Sequence, residues 1–182
     1  MRAAFIATLI LLLPAALLAA PTMGVYFTYT PDQMNYSPTP YEQFTAYIFA
    51  HHTECYLDAA EFQLGLPPGI SMITFTLPPG TINIGDPIAG IAVAYWPPMD
   101  GWNPGYNLMC TVTLLATDWC WTQGGTMHDA SVMILPNPSA GAINGSCWPD
   151  NDLFQFAGLT SILCPDYIAT QEKSWGAIKS LF

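Results

Sequence analysis

The sequence predicts an all-β protein, an antiparallel sandwich of two sheets made of seven to nine short strands. Three observations carry that expectation. Residues 59–66 alternate, with Ala60, Phe62, Leu64 and Leu66 set against Ala59, Glu61, Gln63 and Gly65. A period of two is the mark of a strand with one buried face. Leu66-Pro67-Pro68-Gly69 then stops the run, and Leu77-Pro78-Pro79-Gly80 repeats the same four letters after the next strand. Proline cannot donate to a ladder and glycine turns the chain, so each copy marks a strand end. Finally, the chain holds 14 Gly and 17 Pro with 13% aromatic and only 9% charged residues. That composition suits short strands and tight turns, and a disordered chain would lack so many aromatics.

Met1-Arg2 followed by the apolar run Ala3–Leu13, Pro14 and the small residues Ala15–Ala20 reads as a secretory signal helix, too short to span a membrane. Cleavage is expected after Ala19, since proline directly after a cut at Ala20 would hinder the peptidase. The chain then divides into a signal peptide (1–19), one sandwich domain (20–170) and a C-terminal tail (171–182). The formal charge is −10, and loss of Arg2 makes it one unit more negative. A chain so acidic repels phosphate backbones and anionic headgroups, which excludes nucleic acid and, after signal removal, a membrane surface as partners.

Each element follows from local pattern. Gly24–Thr30 is a first strand, and Pro31–Tyr41 is a polar connection. Phe44–Ala50 is apolar on both faces and therefore central. In the strand after the first Leu-Pro-Pro-Gly, Ile73, Phe75 and Leu77 share one face, with Met72, Thr74 and Thr76 on the other. Residues 83–87 read as a turn, Ile91–Trp96 as a strand, 97–105 as a loop and Asn107–Leu115 as the clearest later strand. Val132–Leu135 and Leu153–Ala157 are shorter strands. No long stretch has helical periodicity.

Five cysteines remain for an exported chain: Cys55, Cys110, Cys120, Cys147 and Cys164. Export favours disulfides, and an odd number leaves one thiol over. Any of the five can be the odd one, with three pairings for the rest. Cys110 is in step with Leu108, Val112 and Leu114 on a core face and is the expected free thiol. The expected bonds are Cys147 to Cys164, which flank the Leu153–Ala157 strand, and Cys55 to Cys120.

Chemistry-bearing residues are sparse. His51, His52, Glu54 and Cys55 are metal-capable, but adjacent side chains on a strand point opposite ways and no second spaced pair accompanies them. Asp150-Asn151-Asp152 lacks the spacing of a calcium loop and reads as a turn. There is no Gly-x-Ser-x-Gly elbow, His128-Asp129 are mere neighbours in sequence, and nothing fixes a separation among Glu42, Glu54 and Glu61. No cofactor or metal is expected. The aromatics Trp96, Trp102, Tyr106, Trp119 and Trp121 gather at two loops, as candidates for stacking on a sugar or anchoring a protein, or as plugs for the ends of the sandwich. Asn35-Tyr36-Ser37 and Asn144-Gly145-Ser146 match the glycosylation sequon by pattern alone.

The order Phe44–Ala50, Ala59–Ile70, Ile73–Gly80, Ile91–Trp96 and Met109–Leu115 resembles cohesin-type modules, across about residues 40–116. The resemblance implies a cohesin-like or immunoglobulin-like sandwich. The ending Lys173-Ser174-Trp175-Gly176-Ala177-Ile178-Lys179-Ser180-Leu181-Phe182 resembles a Trp-Gly-x-Ile-Lys-x-Leu tail on uncharacterised exported proteins of environmental bacteria. Trp175, Ile178, Leu181 and Phe182 form one stripe at helical spacing, beside Lys173 and Lys179. The tail reads either as a recognition appendage, with Trp175 and Lys179 meeting a partner or export machinery, or as a segment packed on the sandwich with its lysines paired to acids. The expected function is a secreted, non-enzymatic module for binding or structure at the bacterial cell surface, its partner a protein or glycan outside the cell. The alternatives are a carbohydrate-binding module using the loop tryptophans and, third, a secreted hydrolase.

Overall fold

The computed structural model describes residues 20–51, 53–102, 105–117 and 130–163. The expected signal helix, the tail, His52, Trp119, Cys120, Trp121, His128 and Cys164 lie outside the described residues. The described chain forms strands β1 Thr22–Tyr26, β2 Asn35–Tyr36, β3 Gln43–His51, β4 Tyr56–Gly65, β5 Ile70–Thr76, β6 Thr81–Asp86 and β7 Gly90–Asp100. These are followed by β8 Tyr106–Ala116, β9 Ala130–Leu135, β10 Asn144–Trp148, β11 Asp152–Gln155, β12 Ala157–Gly158 and β13 Thr160–Leu163. There is no helix among the described residues.

The strands form two sheets, one of five in the order β12-β1-β3-β8-β5 and one of eight. The larger sheet runs β11-β10-β4-β9-β13-β2, with β7 on the other side of β4 and β6 outside β7. β4 organises the larger sheet because its alternation is real. Leu57, Ala60, Phe62 and Leu64 are buried, while Ala59, Glu61, Gln63 and Gly65 face outward. Phe62 is wholly buried, a side chain whose burial contributes about 1.5–3 kcal/mol. It meets a core supplied by both sheets, with Val25, Ile48, Val112 and Leu114 on one side and Leu64, Ile91, Val93 and Val132 on the other. β3 is central in the smaller sheet, between β1 and β8, as its apolar character predicts.

The two Leu-Pro-Pro-Gly motifs make the same turn twice. Ile70 N–H donates to the Pro67 carbonyl at 3.2 Å and Thr81 N–H to the Pro78 carbonyl at 3.3 Å. Gly69 and Gly80 take φ of 82° and 80°. Proline followed by a positive-φ glycine inside an i to i+3 hydrogen bond is the pattern of a type II turn. Both glycine carbonyls are then used by a neighbouring strand. Gly69 accepts from Thr117 N–H at 2.7 Å and Gly80 from Trp96 N–H at 3.2 Å.

Several expected boundaries move. The first strand begins at Thr22, ahead of the expected Gly24. Residues 81–86, expected to hold a turn, are strand β6, and the turn falls at 87–89. The described strand segments number thirteen, beyond the expected seven to nine, because the expected set lacks β2, β6, β10, β12 and β13; β2 and β12 are two-residue pairings, too short to alternate. Both are parallel contacts, β12 with β1 and β2 with β13. In β5 the register shifts between Met72 and Thr74. Ile73 is the extra residue and is exposed, while Met72, Phe75 and Leu77 pack on the core. Cys110 lies opposite Ile48 in the regular register, and the shift that follows, between Ile48 and Phe49, makes Met109 the extra residue and takes Leu108 out of step with Cys110. Cys110 is buried and free, as expected, and burial pushes its thiol up to about 12.

The disulfide pairing differs from the expectation. Cys147 bonds to Cys55, with Cα atoms 5.8 Å apart, across a sequence separation of 92. It is therefore not the partner of Cys164, nor is Cys55 that of Cys120. The ladder decides it: β10 runs antiparallel to β4 and sets Cys147 against Leu57, two residues from Cys55. Closing so long a loop stabilises the fold by roughly 4–5 kcal/mol in the chain-entropy model. We expect Cys55→Ala/Cys147→Ala to lose about 2–5 kcal/mol in urea denaturation. An unchanged midpoint would show that the bond contributes nothing to the fold.

A polar knot closes the β2–β3 connection. The Tyr36 hydroxyl donates to Glu42 Oε1 at 2.6 Å, and Thr39 donates to Oε2 through its N–H at 2.6 Å and its hydroxyl at 2.9 Å. The Tyr36 hydroxyl, with help from the Thr39 N–H, holds the Glu42 carboxyl below the usual carboxylate range. A depressed carboxylate adds stability above its unfolded pKa and loses it as pH falls through the folded value. Glu42→Gln should therefore flatten the loss of stability on acidification below about pH 4.5. Melting curves across that window check it, and a slope equal to the parent's would refute it.

Candidate functional site

Pairing along β4 builds the site. Tyr56 lies opposite Trp148 of β10 and opposite Asp100 of β7. Leu57 points inward, so Tyr56 and Trp148 stand on the outer face of the larger sheet. β7 then departs from regular pairing. Ala94 faces Ala59 and Met99 faces Leu57, so Tyr95, Trp96, Pro97 and Pro98 all stand against Asp58. Pro97 and Pro98 cannot donate to a ladder, which is why they occupy a bulge. Tyr95 turns inward, its hydroxyl 3.5 Å from the Met109 carbonyl, and burial raises its pKa well above the ordinary value. Trp96 turns outward and is 71% exposed. The Trp96–Pro97 and Trp148–Pro149 peptide bonds are both cis.

Between these residues lies an apolar cleft of about 280 Å³, walled by Tyr56, Trp96, Pro97, Pro98 and Trp148. The Tyr56 and Trp148 rings meet edge to face, 6.5 Å apart and inclined at 80°. The disulfide is in the chain positions next to both, Cys55 before Tyr56 and Cys147 before Trp148. A covalent staple thus fixes the two strand ends that present the rings. Asp58, the bulge residue of β4, accepts a hydrogen bond from the Ser146 hydroxyl, tying the same strands again.

On the same outer face a separate shallow groove of about 230 Å³ lies farther along β4 and β7. Ala59, Glu61, Ala92, Ala94, Ile82 and Ile84 line it. Ile82 and Ile84 are 73% and 78% exposed.

The expected aromatic candidates separate. Trp96 forms a wall of the cleft. Trp102 is exposed, with its N–H on Asp100 Oδ1 at 2.9 Å, and is not part of the cleft lining. Tyr106 belongs to another group, on the outer face of the smaller sheet, where it pairs with His51 and its ring lies 5.3 Å from Phe49. Trp119 and Trp121 lie outside the described residues, as do Trp175 and Lys179. Tyr56 and Trp148 were not singled out by sequence. The available signal was the Trp-Pro pair at 148–149, which repeats the Trp96-Pro97 pair.

The titratable candidates do not converge. Glu42 is engaged by Tyr36 and Thr39, Glu54 is in the turn before β4 with φ of 49°, and Glu61 lies on the outer face of β4. Among the described residues no group of three or more His, Cys, Asp or Glu side chains comes together as metal ligands would.

No family model matches the chain, and no curated protein matches it. Solved structures do. A non-cellulosomal cohesin from the hyperthermophilic archaeon Archaeoglobus fulgidus superposes with a TM-score of 0.50 at 10% identity, over 85% of this chain and 98% of its own. The fold is cohesin-like. A type II cohesin domain from the cellulosome of Acetivibrio cellulolyticus gives a TM-score of 0.51 at 11% identity, covering 81% and 96% of the two chains. A type I cohesin–dockerin complex from Clostridium thermocellum gives 0.51 at 7% identity, covering 79% and 93%. At such identity the likeness to cohesins establishes fold alone.

The second Leu-Pro-Pro-Gly turn supports the cleft directly. A Cβ on Gly80 would stand 2.1 Å from the Trp96 carbonyl oxygen, at φ of +80°. Gly105 has φ of +86° with nothing within 4 Å. Gly105→Ala should cost about 1 kcal/mol from backbone strain alone, and Gly80→Ala about 2–4 kcal/mol because the Trp96 backbone must also move. Equal losses in denaturant titrations would show that the turn does not brace Trp96.

Proposed function

We propose that the chain is an exported, non-enzymatic binding module that receives a protein partner on the outer face of its larger sheet, centred on the Tyr56–Trp96–Trp148 cleft. The observation that carries this reading is an apolar cleft whose aromatic walls stay exposed on a disulfide-stapled sheet. Interface anchors are typically tryptophan and tyrosine in apolar pockets on rigid elements. Its walls hold no carboxylate, imidazole, thiol or aliphatic hydroxyl, which gives acid–base or nucleophilic chemistry little to work with there. Export is supported by the signal-like residues 1–19 and by the Cys55–Cys147 bond. A protein partner agrees with a neighbour of similar fold that is seen bound to a dockerin.

A carbohydrate reading is favoured by one observation, the exposure of Trp96 and Trp148, since flat rings stack on sugar faces. The 80° inclination of Trp148 to Tyr56 opposes it, because a sugar chain needs rings presented along one flat line.

Selection of a phage-displayed random-peptide library on the purified protein tests the proposal, alongside electrophoresis through gels containing xylan, β-glucan or soluble cellulose. We expect peptides enriched on the parent to lose at least 30-fold in affinity on Trp96→Ala/Trp148→Ala, about 2 kcal/mol, with no retardation by the polysaccharides. Retardation that the double variant abolishes, with no peptide enriched, would overturn the protein reading in favour of sugar binding.

A further inference from the structure

The groove beside the cleft is built by register. Ile82 and Ile84 of β6 pair with Ala94 and Ala92 of β7. Those alanines pair with Ala59 and Glu61 of β4. Cross-strand pairs share a face, so a row of Ala94 and Ala59 and a row of Ala92 and Glu61 cross the sheet beside a ridge of two isoleucines. Among the described residues β6 pairs with β7 alone, which makes it an edge strand of the described sheet. Asp58, Glu61, Asp86 and Asp100 all belong to these strands. None of the described residues is Lys or Arg. The chain has three such residues, Arg2, Lys173 and Lys179.

We propose that this groove seats the chain's own C-terminal segment. Trp175, Ile178 and Leu181 lie against Ile82, Ile84 and the alanines, with a lysine of the segment beside Glu61. Charge complementarity selects this occupant, because residues 171–182 hold every cation beyond Arg2, next to an apolar stripe. An acidic, apolar face matches a basic, apolar segment in both respects.

The chain is also long enough. Leu163 ends β13 opposite Ala130, beyond the end of β4 at which Met133 pairs with Gly65. From there to the Ala59–Glu61 level is about eight strand positions, roughly 26 Å along the sheet. The chain from Leu163 to Trp175 spans up to about 40 Å when extended. The inference rests on reading this outer face as a binding surface, and does not depend on what the cleft itself receives.

Carbodiimide cross-linking of the purified protein, which joins an amine to a carboxylate in direct contact, tests the proposal without any partner. With two lysines in the segment, the products are readily assigned by peptide mass spectrometry. We expect Lys173 or Lys179 joined to Glu61 within one chain, and at least a fivefold loss of that product in Ile82→Asp/Ile84→Asp, whose side chains lie outside the core and whose circular dichroism spectrum should match the parent's. Mixing isotopically light and heavy protein reads the alternative occupant, since products joining light to heavy chains would assign the groove to a second copy and overturn the proposal. Linkage only to Asp32 or Glu42, no linkage at all, or a Glu61 product undiminished in the isoleucine variant would equally overturn it. A Glu61 linkage together with failed peptide selection would refute the partner reading and leave this one standing.

Discussion

The structure depends on the two-residue alternation of β4 and on the single residue that interrupts it. From Ala60 to Leu64 every second side chain enters the core, and a one-residue slip would expose Phe62 and Leu64 together. That penalty fixes the register toward β7, β9 and β10, three strands that share β4 as their partner. Asp58 then interrupts the count on both sides, for β7 and β10 alike. Because the interruption is shared, Tyr56, Trp148 and the β7 bulge are all re-aimed at one place. The cleft is a consequence of register.

This explains what the sequence could and could not disclose. Ala60, Phe62, Leu64, Val112 and Leu114 are legible because alternation within one strand is a local property. The two Leu-Pro-Pro-Gly turns are legible because proline and glycine restrict φ wherever they stand. Cys110 as a buried thiol follows from its position in the β8 pattern. By contrast, the Cys55–Cys147 bond depends on β10 crossing to β4, and no feature of either segment announces that partner. The expected Cys147–Cys164 pair rested on the strand that lies between the two. β6 escaped notice because Ile82 and Ile84 alternate with polar residues yet face outward. Tyr56 and Trp148 escaped notice because each is a single aromatic at a strand end, made significant only by the other. The bulges at Asp58 and Ile73 have no sequence signature, since an extra residue in one strand is defined by its partner.

The two outer faces both carry aromatics, and they differ in what those rings already touch. On the smaller sheet Tyr26, Tyr29, Tyr47, Phe49, His51 and Tyr106 form a continuous network, with ring centres between 5.3 and 6.4 Å apart. Phe49 at its centre is 1% exposed. Such contacts are near the preferred separation of aromatic pairs, and each contributes about 0.5–1.5 kcal/mol beyond area burial. That face spends its aromatics on its own cohesion.

On the larger sheet the rings stand apart. Trp96 reaches past the bulge with most of its surface in water, and Trp148 touches Tyr56 by an edge at 6.5 Å. Leaving a tryptophan side chain so exposed forgoes much of the 1.5–3 kcal/mol that burying a large apolar side chain gives. Yet Gly80, the bulge and the disulfide all hold its surroundings in place. A ring held in place with its face left open is what the proposed partner site requires. The isoleucine ridge of β6 repeats the argument with aliphatic side chains. An edge strand with two exposed isoleucines and only Asp86 as a charge lacks the usual guards against unwanted pairing. A fold that left such an edge solvent-exposed would risk aggregation, and the proposed cover, belonging to the same chain and carrying the opposite charge, would remove that hazard without recruiting a second molecule.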